Sequence, residues 1–308
     1  MGCISFICGI NLKCKNIDIF TQKNDRIFFV LVLTKKLWGV ILMMYSKQDI
    51  IKQLKEIGAP KDKPVITHVS LKAIGDIEGG AQGLLEVFKA YFSKNGGALI
   101  VPTHTWSNFD KKKDLILDFN SKETCIGVFP SIALCDGTGI RTDNPTHSSI
   151  VFGDKKVVDE LVGEESALKT PTAPNGCYGK LYDKDGYVLL VGVGQEKNTY
   201  LHAVEEMLGV PNRLSEKPVE MKVKYLDGKI KVREFCYMTE TVGDVSIQFP
   251  KYEIAFRKHG AITDGYIGGA KTQLCSARKM KEVVQMVREN SCGIELLSDD
   301  KPLNKDWY

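Results

Sequence analysis

Residues 186–206, GYVLLVGVGQEKNTYLHAVEE, place an apolar run without polar alternation directly before a turn and a helix. A strand that is apolar on both sides needs cover on both faces, so the run at 187–193 predicts a central strand of an α/β sheet. Ligand sites in open sheets of this kind lie beyond the carboxyl ends of the strands. The helix that follows carries His202 and Glu205, three residues apart and therefore on one face, a pairing suited to handling protons. His202 falls in the first turn, behind Asn198 and Thr199 as capping residues. The positive helix end there favours a neutral imidazole, whereas Glu205 favours the protonated ring.

A second strand–helix–strand pattern precedes it. Residues 64–69 (PVITHV) read as a strand ending near His68 and Ser70, Gly79-Gly80 opens a helix with Leu84, Leu85, Phe88 and Phe92 at helical spacing, and residues 98–101 form the next strand before Pro102-Thr103-His104. This is a βαβ unit with parallel neighbouring strands, so His68 and His104 emerge at one edge of the sheet. His147, in Asn144-Pro145-Thr146-His147, stands just ahead of the apolar run 150–152. Each histidine taken alone reads first as a structural residue. Four of the five at strand ends and loops imply a shared cleft.

The formal net charge of +4 belongs to the N-terminal segment. Residues 1–43 hold six Lys/Arg against two Asp, and the remaining 36 basic and 36 acidic side chains balance. A balanced chain carries no electrostatic footprint for nucleic acid or an anionic membrane. Residues 27–44 are apolar except for Thr34, Lys35 and Lys36, too interrupted for a membrane span and without a small-residue cleavage site. We expect 1–43 to be an extension upstream of a true start at Met43 or Met44, with a membrane-associated tail as the alternative, and 44–308 to be a single domain. Of nine cysteines, the six beyond residue 43 show no metal-ligand or disulfide spacing, which suits a reducing cytoplasm and predicts no metal site.

The domain is expected to begin with a helix capped by Ser46, with Asp49 completing the capping box and Gly58 ending it. Residues 105–145 lack periodicity, and a loop-rich stretch of that length beside strand-end histidines predicts a wall of the binding site. Residues 219–225 and 230–238 flank Asp227-Gly228 as a β-hairpin. A helix over 276–290, capped by Ser276 and buried along Met280, Val283, Val284 and Val287, closes the domain. Gly192-x-Gly194 fails the dinucleotide pattern, because its third glycine would fall at Lys197; no nucleophile elbow and no P-loop occur. What remains is a proton-transfer cleft without a protein nucleophile, fit for direct transfer between two substrates or for hydrolysis by water.

These residues together resemble the aminoglycoside 3-N-acetyltransferase family of antibiotic N-acetyltransferases. The resemblance rests on Thr67 to Leu71 with Gly75 and Gly79-Gly80, Val101 to Thr105, Asn144 to Ser148, Tyr178 to Leu181, Leu190 to Glu205, and Gly268 to Ala270 with Ala277-Arg278. It implies an α/β fold with a largely parallel sheet, flanking helices and an antiparallel hairpin subdomain. It also implies acetyl-CoA as co-substrate, an aminoglycoside amine as acceptor, and direct attack in a ternary complex. By matching positions it implies His147, His202 and Glu205 as the proton-handling set, without saying which histidine is the base. His68, Ser70, Leu71, Thr103 and His104 would line the pantetheine channel, and Gly79-Gly80 would offer backbone N–H groups to phosphate. Acidic candidates for the cationic acceptor are Asp136, Asp143, Glu196 and Glu206. Another small amine as acceptor, or a CoA-binding protein without catalysis, are the alternatives.

Overall fold

The computed structural model describes residues 44–308 apart from Glu240. The expected extension at 1–43 lies outside the described residues. Along the chain the strands are β1 (Pro64–Val69), β2 (Ala98–Pro102), β3 (Leu115–Asp118), β4 (Ile140–Arg141), β5 (Ser149–Gly153), β6 (Tyr187–Val191), β7 (Val219–Lys224), β8 (Ile230–Phe235), β9 (Ile262–Ile267) and β10 (Ala270–Ser276). Seven of them form the main sheet in the order β4-β5-β2-β1-β6-β10-β9. The centre, β2-β1-β6, is parallel, with Pro64 opposite Ala98 and Val65 opposite Tyr187. β5 and β10 are antiparallel to it, while β4 and β9 each pair antiparallel with those and so run with the centre. The βαβ unit read at 64–102 is present, closed by the helix Gly80–Phe92.

Alternation of buried side chains divides the core between the two faces of this sheet. Ile66, Val188 and Leu190 face one cluster; Val65, Leu189 and Val191 face the other. The second cluster is covered by α1 (Lys47–Glu56), α2 (Leu71–Ile74), α3 (Gly80–Phe92) and, after the short α4 (Trp106–Asp110), by α5 (Val128–Asp136). The first is covered by α6 (Lys155–Val162), α7 (Lys180–Asp183), α8 (Tyr200–Met207), α9 (Glu253–Lys258) and α10 (Ala277–Asn290). Cover on both sides is what makes β6 apolar throughout. The terminal helices follow their sequence signals closely. Ser46 and Asp49 form the capping box of α1, and the Ser276 hydroxyl accepts from the Lys279 N–H while Met280, Val283, Val284 and Val287 are buried.

The hairpin β7-β8 does not stand alone. β3 runs parallel beside β7, and the three strands form a separate small sheet around Ile116, Met221 and Phe235. β3, α5 and the β9-β10 pair escaped the sequence reading. The loop-rich stretch 105–145 therefore contains α4, β3, α5 and β4.

Candidate active site

A cavity of about 530 Å³ opens at the carboxyl ends of β1, β2 and β6. His68 reaches it from the end of β1, His104 from two residues beyond β2, His147 from the turn before β5, and His202 from the first turn of α8. Trp106, Phe109, Ile126 and Phe129 from the 105–145 stretch form an apolar wall, and Met238, Gly243 and Asp244 complete the lining. The volume lies within the range of small-molecule sites.

All four histidines are held neutral, first by burial. His68 and His147 are pushed down to about 3, with Lys197 opposing charge on the former and His202 on the latter. His104 lies well below the usual imidazole range, with His147, His68 and His202 adding to the effect of burial. Burial takes His202 down to about 4; Asp244 pulls it upward and Arg213 pushes it down. Local hydrogen bonds fix two of the rings. His147 Nδ1 meets Thr146 Oγ1 at 2.9 Å, and its backbone N–H donates to Asn144 Oδ1 at 2.9 Å. His104 Nε2 lies 2.9 Å from the Tyr178 hydroxyl, and its ring centroid is 4.5 Å from that of His147. His202 packs edge-on against Phe249, 4.9 Å between centroids.

Neutral burial has a sign. Below its unfolded value of 6.5, His147 in the unfolded chain takes up a proton that the folded chain refuses, so stability falls as pH drops through 6.5. Relative to pH 8, this one group costs about 2 kcal/mol of stability at pH 5. The loss of stability between pH 8 and pH 5 is therefore expected to be about 2 kcal/mol smaller in His147→Gln than in the parent, as read by urea unfolding. Equal losses in the two proteins refute the assignment.

Several expected site residues are elsewhere. No hydrogen bond joins His202 to Glu205: the Glu205 carboxylate is buried away from the cavity, with Oε1 accepting from Arg213 Nε at 2.9 Å. Arg213 lines the cavity and forks onto Glu295 at 2.9 and 3.0 Å. Burial pushes Glu205 up to about 7 in spite of Arg213, and the charge of Glu295, which shares the same guanidinium, adds to the rise. The pattern i,i+3 placed the two side chains on one face, but a guanidinium eight residues downstream gives the carboxylate a closer partner.

Of the channel residues, His68 and His104 line the cavity and Ser70, Leu71, Gly79, Gly80 and Thr103 do not. The Ser70 N–H donates to Val191 O as the chain turns into α2. Thr103 Oγ1 meets Ser148 Oγ at 3.0 Å inside the sheet. The start of α3 faces α1, where a Cβ on Gly79 would sit 3.8 Å from the Lys47 side chain. Asp143 is taken by Tyr225 and Arg233, Glu206 by Thr170 and Thr172, and Asp136 by Lys89. Glu196 does line the cavity, joined by Asp110 and Asp244, which the sequence reading missed. Among the described residues no group of His, Cys, Asp or Glu is placed to hold a metal ion, and no helix is long and apolar enough to cross a membrane.

Comparison with known proteins agrees with this architecture. Residues 66–288 match the family described as Aminoglycoside 3-N-acetyltransferase. Aminoglycoside N(3)-acetyltransferase IV of Salmonella sp is 28% identical over 170 residues, 54% of this chain and 61% of that protein. The chain spans about three fifths of the length of the curated relatives it matches. Among solved structures, a histidine-to-alanine variant of aminoglycoside acetyltransferase AAC(3)-IVa in complex with a gentamicin superposes with a TM-score of 0.67 at 21% identity, covering 82% of this chain and 93% of that one. AAC-IIIb in a binary complex with CoASH gives 0.67 at 16% identity, covering 80% and 97%. With a family match over most of its length and the same fold around the histidine cleft, the chain belongs to the aminoglycoside 3-N-acetyltransferase family.

Proposed function

We propose that this protein transfers an acetyl group from acetyl-CoA to the 3-amino group of a 2-deoxystreptamine aminoglycoside by direct attack within a ternary complex. The observation that carries the reading is His202, a neutral imidazole beside Asp244 in the cavity that His68, His104 and His147 share. An amine attacks only as its free base and must lose a second proton as it is acylated. His202 accepts that proton, and Asp244 stabilises the imidazolium so formed. Asp110 and Glu196 on the same walls offer carboxylates to the remaining ammonium groups of the acceptor. Acetyl-CoA supplies the activated acyl group as a thioester. The cavity fits its reactive end: an apolar wall of Trp106, Phe109, Ile126 and Phe129 stands beside the histidines, and Lys197 provides a cation at the rim. Glu205 acts through Arg213, holding that cavity-lining guanidinium against α8 rather than touching the acceptor.

A smaller amine as acceptor is the second reading, because Asp143 and Glu206 are engaged away from the cavity and, among the described residues, three carboxylates line it. Thiol release from acetyl-CoA by the full chain, with gentamicin, kanamycin and simple diamines in parallel, separates the two. Release that depends on an aminoglycoside, with the mass of a mono-acetylated drug, is the expected result. Silence with every aminoglycoside overturns it.

A further inference from the structure

His104 is the one cavity histidine whose proton position is dictated by a buried relay. Ser149 Oγ donates to the Tyr178 hydroxyl at 2.9 Å, and that hydroxyl lies 2.9 Å from His104 Nε2. Ser149 is fully buried and Tyr178 nearly so. A phenol has a single proton. Because its oxygen already accepts from Ser149, leaving that proton without an acceptor in the core would cost about 1–3 kcal/mol, so it goes to Nε2. Nε2 is then the acceptor and the ring proton must sit on Nδ1.

Nδ1 makes no hydrogen bond to any described residue. Neither is it sealed in the core: among the described residues, the buried side-chain nitrogen and oxygen atoms without a partner are His68 Nε2 and Glu205 Oε2. His104 therefore presents an N–H to the cavity it lines, and the His147 ring 4.5 Å away limits its rotation. A neutral, fixed N–H in a largely apolar pocket is suited to an oxygen that gains negative charge during a reaction.

We propose that His104 is a catalytic residue of the acetyl transfer, donating its Nδ1–H to the carbonyl oxygen of the acetyl group. The inference rests on the acetyl-transfer reading above. As the amine nitrogen forms its bond to the acetyl carbon, the carbonyl π pair moves onto oxygen and His104 hydrogen-bonds that charge. As the pair returns, the C–S bond breaks, and the departing thiolate takes up the proton that the amine gave to His202. His104 neither gains nor loses a proton.

Two variants distinguish this donor from a merely structural ring, since an Asn amide nitrogen reaches about the position of Nδ1 and a Gln amide that of Nε2. His104→Gln is expected to lower kcat about 10²-fold, the scale for one lost donor of this kind, and His104→Asn to recover most of that loss. Equal rates in the two variants overturn the proposal. Two readouts need no turnover. ¹⁵N NMR of the parent protein should show His104 as the Nδ1–H tautomer, with Tyr178→Phe releasing it to a mixture; an Nε2–H tautomer in the parent overturns the proposal. The carbonyl carbon of [1-¹³C]acetyl-CoA should move downfield on binding the parent and return toward its free position in His104→Gln. Binding without such a shift overturns the role of His104 alone, whereas failure of the parent to bind acetyl-CoA overturns the acetyl-transfer reading as well.

Discussion

Replacing Arg213 by Met is expected to destabilise the fold by about 3–5 kcal/mol, the scale for stripping the partner from a buried charge. Arg213 and Glu205 are 8% and 3% exposed, so neither gains from water what it loses when the other is removed. Methionine fills much of the same volume, and the effect isolates the charge rather than a cavity. The pH dependence follows from Glu205, whose folded pKa of about 7 lies above the ordinary 4.5. Between those values the folded state holds a proton that the unfolded state has released, so this group's contribution falls as pH rises. Without Arg213 the carboxyl is pushed higher still, and Arg213→Met should be more destabilised at pH 8 than at pH 5.5. Adding Glu205→Leu should recover most of the loss, because a pair of apolar residues is commonly tolerated where a broken ion pair is not. Urea unfolding of the two variants at both pH values decides it; a loss below about 1 kcal/mol at pH 8 would show that Glu205 is not sealed from water as the structure has it.

How far the sequence reveals this arrangement depends on whether a signal is local. The caps of α1 and α10, the βαβ unit and the buried stripe of α10 are written in neighbouring residues, and the structure places them where the sequence does, whereas Thr199 at the start of α8 makes no side-chain capping bond. The convergence of His68 and His104 is legible for the same reason, since parallel strands bring their carboxyl ends together. β9 and β10 are not: Thr263, Asp264, Lys271 and Gln273 interrupt their apolar residues, and β10 becomes a strand by pairing with β6, which is distant in sequence. The same holds for charge. Spacing shows that Glu205 shares a face with His202, but it cannot show that Arg213 and Glu295 fold back to claim the carboxylate. Asp244 follows a glycine in a stretch without periodicity, and only the packing of Val245 and Phe249 into the core brings it beside His202.

His202→Ala is expected to lower kcat by about 10²–10⁴, the range for losing a positioned general base, while leaving the binding of acetyl-CoA nearly unchanged. The distinction between base and bystander lies in the pH profile of kcat/KM, which reports groups of the free enzyme. His202 acts only while neutral, and burial places its pKa at about 4. The parent profile should therefore fall first below the acceptor amine's own pKa, since only the free base attacks, and steepen into a second acid limb near pH 4, not near the 6.5 of an exposed imidazole, with its plateau above both. Asp244→Asn removes the group that pulls His202 upward, so the limb should move to lower pH, and the plateau should drop because a weaker base accepts the amine proton less readily. His147 has a similarly low pKa, but Thr146 already engages its Nδ1, and Asp244 is not among the charges that perturb it. Asp244→Asn should thus leave a His147-dependent limb where it was. An unmoved limb in Asp244→Asn, together with more than a tenth of parental kcat in His202→Ala, would pass the role of base to His147.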